Sequence, residues 1–103
     1  MILRRLTAAN VPLTIPAGVL AQVWRGSAHQ QRLAVLMSDD DVDIPGLDMA
    51  QALAIGALLA SARGRDVIDA SVVVTARTRG DAVVTSDPED LQRLDPMLRV
   101  IAV

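Results

Sequence analysis

The chain has no cysteine, lysine, phenylalanine or tyrosine, and only one tryptophan, Trp24, and one histidine, His29. Without cysteine there is neither a disulfide framework nor a thiolate zinc centre, which suits a reducing cytoplasm. A single aromatic side chain excludes the stacking platform that single-strand nucleic-acid binders present to bases. Trp24 sits at helical spacing from Leu20 and is expected in a core or an interface. With no second histidine or any cysteine to join it, His29 is expected to be a surface residue rather than a metal ligand. All ten basic residues are arginines and the net charge is −2, so any contact with nucleic acid must come from local arginine groups rather than from a globally basic surface. No apolar run approaches the roughly 20 residues that span a bilayer, and no basic-then-apolar signal opens the chain. A cytoplasmic protein without a membrane partner is expected.

What is present suffices for a packed domain. With 103 residues, 51% of them hydrophobic, the chain is long enough for one core and short for two, so a single domain over 1–103 is expected. Ile2, Leu3 and Leu6 stand at helical spacing over 1–9. Val11 to Ile15 is a β-branched run closed by Pro16, which suits a strand feeding a helix over 16–25 that ends at Gly26. Ser27 opens a second helix with Leu33, Leu36 and Met37 as its inner stripe, stopping at Asp39, Asp40 and Asp41. That acidic run with Asp43 has the alternation of a calcium loop. Ile44 and Ala50 occupy the places where such a loop needs glycine and glutamate, so a solvated acidic turn is expected. Val42 to Pro45 reads as a short edge strand. Asp48 with Gln51 has capping-box spacing ahead of an Ala- and Leu-rich helix over 49–62, which Arg63, Gly64 and Arg65 end.

The stretch from Asp66 to Asp90 organises the rest. Asp66 suits an N-cap with Asp69 three residues on, and Val67, Ile68, Val72, Val73 and Val74 carry a helix that stops at Gly80. Ala82 to Thr85 is a short run suited to a buried strand. Asp87, Pro88, Glu89 and Asp90 then read as an N-cap, a proline at the first helical position and acids in the first turn. Asp95-Pro96 breaks that helix, and Leu98 to Val103 is a last strand. Strands alternating with helices predict an α/β fold with a parallel sheet flanked by helices. In such sheets ligands sit beyond the carboxyl ends of strands, where helix N-termini converge, so Asp69 and Asp87 are expected to share one cleft.

The segments IPAGVLAQVWRG at 15–26, SARGRDVIDASVVVTA at 61–76 and AVVTSDPEDLQRL at 82–94 resemble the PIN-domain family, in particular the VapC toxins of bacterial toxin–antitoxin pairs. The resemblance covers nearly the whole chain. It implies a PIN-like α/β sheet, Mg²⁺ or Mn²⁺ held by acidic residues for endoribonuclease chemistry on RNA, neutralisation by an antitoxin protein, and homodimerisation. Asp69 matches the acid of the family's D-A motif, Asp87 the acid after its T-x turn, and Asp90 is a secondary match. Gln22 stands where these toxins place glutamate, and the family's first strand, with its aspartate, has no counterpart before Leu13. The expected form is therefore N-terminally shortened. The resemblance gives Asp69 and Asp87 the catalytic and metal-binding roles, with Asp90 supporting the metal.

Two readings of function compete. One is a weakened metal-dependent endoribonuclease toxin. The other is a catalytically degenerate relative that serves only as a binding or dimerisation module, with Trp24 or its neighbours near the contact. Removing two of four expected acids lowers the site charge from about −4 to −2, and carboxylates supply most of the attraction for a divalent ion. Weak metal affinity is expected. For Asp69 and Asp87 the purely structural alternative is that each stabilises a helix N-terminus, worth about 0.5–2 kcal/mol. Arg25, Arg63, Arg65, Arg77 and Arg79 are available to meet phosphates or to solvate helix ends.

Overall fold

The computed structural model describes residues 11–24 and 30–103. The helix expected over 1–9, the helix start at Ser27, and the placements of Arg25 and His29 fall outside the described residues. Two compact units divide at Gly46–Leu47. Among the described residues five helices and four short strands are present, and both strand pairings are parallel.

The first unit contains β1 (Leu13–Thr14), α1 (Ala17–Val23), α2 (Gln30–Met37) and β2 (Val42–Asp43). β1 runs parallel to β2 with Leu13 opposite Val42 and Thr14 opposite Asp43. Amide donors along β1 and just beyond it, Leu13, Ile15 and Ala17, reach the carbonyls of Asp41, Asp43 and Pro45 at 2.8, 2.8 and 3.1 Å. The alternation of bonded residues is that of a parallel ladder. The strand is shorter than the run Val11 to Ile15, because Val11 and Pro12 fall outside the paired stretch. Pro16 stands at the N-cap of α1, where its missing N–H costs nothing. In α2 the expected inner stripe is partial: Leu33 and Leu36 are half-buried and Met37 is exposed. The acidic run closes α2 as a turn, with the Asp41 amide donating to Asp39 Oδ1 at 2.8 Å and the Val42 amide to the Asp39 carbonyl at 3.0 Å. Neither helix of this unit buries a residue fully.

Among the described residues the buried core lies in the second unit. It holds α3 (Met49–Ala62), α4 (Val67–Arg79), β3 (Val83–Thr85), α5 (Pro88–Leu94) and β4 (Val100–Ala102). Asp48 caps α3 by accepting the Gln51 amide at 2.7 Å, and the helix ends at Arg63, which takes the left-handed conformation with φ 54°. The backbone is thus turned sharply enough for Asp66 to start α4 four residues after α3 ends. Ala70, Ser71 and Val73 to Ala76 are buried, so α4 is enclosed on most of its circumference along its middle. Ile55 and Leu58 of α3, Leu91 of α5 and Leu98 complete the core around it. Two polar groups inside it are satisfied: Gln51 Nε2 donates to Thr75 Oγ1 at 2.9 Å, and the Ser71 hydroxyl donates to the Ile68 carbonyl at 2.7 Å. Gly80 terminates α4 with φ 68°, a conformation that costs a residue with a Cβ about 1–2 kcal/mol. β3 then pairs parallel with β4, Val83 to Thr85 lying opposite Val100 to Ala102. The structure is therefore α/β with parallel strand pairs.

Candidate functional site

Two helix starts in the second unit carry the acids singled out by the sequence. At the first, Asp66 Oδ1 accepts the Asp69 amide at 2.9 Å, which places Asp69 at the third position of α4 with its own carboxylate uncommitted to the cap. At the second, Asp87 occupies the N-cap position of α5 and Pro88 follows it. Asp87 does not cap as expected, since its side chain takes no hydrogen bond from the first turn. The turn is instead held by Thr85, whose Oγ1 accepts the Asp87 amide at 2.9 Å. With φ −123° and ψ 61°, Asp87 departs from the extended backbone that aims an N-cap oxygen at the second and third amides. Its Oδ2 faces the Ser86 hydroxyl at 3.5 Å, a long contact for an O–H donor. Ser86, Asp87, Pro88, Glu89 and Asp90 line an open hollow of about 230 Å³.

Asp69 feels burial and its own helix start most, and the acids of the second start less. Burial is the largest influence on Asp69 and pushes its carboxyl above the usual aspartate value of 3.8, and the charges of Asp66, Asp90 and Asp87 push it further in the same direction. An acid in the first turn of a helix is ordinarily favoured as the anion by the helix dipole. Here desolvation and like charge outweigh that preference. Asp69 is half-buried, whereas Asp66, Asp87 and Asp90 are exposed. Asp90 also lies 3.3 Å from Arg93 Nη1 in an exposed pair, which offsets part of its charge. Gln22 is exposed on α1 in the first unit.

The donor chemistry suits Mg²⁺ or Mn²⁺, which take hard oxygen ligands and keep several waters. Asp69 is partly desolvated and repelled by three exposed carboxylates, and a cation would relieve such repulsion. The geometry is not that of a closed cage: among the described residues no three Asp, Glu, His or Cys side chains are grouped closely enough to hold a metal ion by themselves. The T-x turn before Asp87 is legible in the sequence, but the role of the Thr85 hydroxyl, which fixes the backbone at Asp87, is not singled out there. Nor is Asp95, which takes a structural role described below. Among the described residues no helix is long and apolar enough to cross a membrane. Comparison with known proteins finds no matching family model, no matching curated protein and no matching solved structure.

Proposed function

We propose that the chain is a PIN-like, VapC-like endoribonuclease of reduced potency, with Asp69 and Asp87 as the principal ligands of a hydrated Mg²⁺ or Mn²⁺ and Asp90 in support. The observation that carries this reading is the placement of half-buried Asp69 in the first turn of α4 with its carboxylate outside the cap, its carboxyl raised by burial first and then by the charges of Asp66, Asp90 and Asp87. The cap Asp66 supplies part of the repulsion on Asp69, whereas Asp87 sits at a helix start that its side chain does not cap. When bound, the metal supplies charge neutralisation at a phosphate and a more acidic water. The chain's own part is to hold the anionic oxygens open on that side. Asp69 does so from the capped first turn of α4, and Asp87 from a turn fixed by Thr85. In the resemblance, Gln22 stands uncharged where the family has a glutamate.

RNA is the substrate of this reading. An antitoxin protein and a second copy of the chain are its partners, the PIN-like sheet its architecture over a single domain, and the cytoplasm its location. The test is incubation of the purified chain with single-stranded RNA and Mg²⁺ or Mn²⁺. Slow cleavage that stops with chelator and in Asp69→Ala supports the proposal, and rapid cleavage lost in the same variant refutes the reduced potency. A second reading, a binding or dimerisation module without catalysis, is favoured by the absence of a three-acid group among the described residues. Complete inactivity in both metals, with the fold intact, selects it.

A further inference from the structure

We draw no further inference here: the strongest candidate, the uncharged outer face of α3 formed by Met49, Leu53, Gly56, Ala57 and Ala60, is exposed, and nothing in the structure shows what covers it.

Discussion

Arg77 Nε donates to Asp95 Oδ2 at 2.8 Å, tying the last turns of α4 to the segment that leads into β4. The other carboxylate oxygen of Asp95 accepts the Met97 amide at 2.9 Å, and the residue is buried. Both oxygens are thus committed to holding one connection in the fold. Removing Arg77 leaves a buried carboxylate short of its charged partner, so Arg77→Ala is expected to destabilise by about 1–3 kcal/mol. Urea unfolding measures it.

Asp95 also sets a pH dependence. The hydrogen bond from Arg77 is the main cause that holds its carboxyl below the usual value of 3.8. A folded value below the unfolded one means that this stabilisation is fully present above about pH 4 and is lost as pH falls through the lowered folded value. Asp95→Asn is expected to lower stability at neutral pH and to flatten the loss on the acid side. Denaturation midpoints between pH 2 and 7 would show an unchanged acid slope if Asp95 were an ordinary surface carboxylate.

Asp69 has the opposite sign. Its folded value is raised, first by burial and then by Asp66, Asp90 and Asp87, so the folded protein takes up the proton before the unfolded chain does. The carboxylate therefore costs stability above its raised value, and the cost is relieved as pH falls toward the unfolded value. Because the group is half-buried and screened by solvent, Asp69→Asn is expected to raise stability by less than about 1 kcal/mol at pH 7. The gain should vanish in acid. A destabilised Asp69→Asn at neutral pH would mean that the charge serves the helix start rather than a ligand.

The contrast between the two helix starts gives a third expectation. Asp66→Ala removes a cap and should cost about 1 kcal/mol. Asp87→Ala removes no cap and should change stability by less than about 0.5 kcal/mol, as an exposed position away from packing does. Equal losses for the two variants would place Asp87 among structural caps. Thermal unfolding of both proteins under one buffer condition decides between these outcomes.

Two glycines separate backbone need from helix propensity. At Gly80 the φ of 68° makes Gly80→Ala destabilising by about 1–2 kcal/mol. Gly56 lies within α3, and a Cβ there would meet nothing within 4 Å. Gly56→Ala should instead stabilise by about 0.5–1 kcal/mol, through the lower entropy of the unfolded chain. Both values follow from thermal unfolding of the single variants.

Most of the second unit was legible because its signals are local. Asp48 and Asp66 each cap as their spacing to Gln51 and Asp69 predicts, and α3 and α4 end at Ala62 and Arg79, where Arg63 and Gly80 turn the backbone left-handed. Aspartate before proline matches the cap pattern, yet the Asp87 side chain caps nothing, because the deciding interaction is the Asp87 amide donating to the Thr85 hydroxyl. The ion pair of Arg77 with Asp95 spans 18 positions, and no periodicity announces such a partner. In the first unit the strands are marked by β-branched runs, but their ends depend on where pairing stops rather than on the runs themselves.

Whether Asp69, Asp87 and Asp90 act on one cation is tested most directly by titrating Mn²⁺ into the isotopically labelled protein and following paramagnetic broadening of its amide resonances. Selective broadening is expected around Asp69 and 86–90, reached only at high metal concentration, competed by Mg²⁺ and lost in Asp69→Asn. Broadening centred on the acidic turn at Asp39 to Asp43, or broadening near Asp87 that persists unchanged in Asp69→Asn, would contradict their acting on one cation.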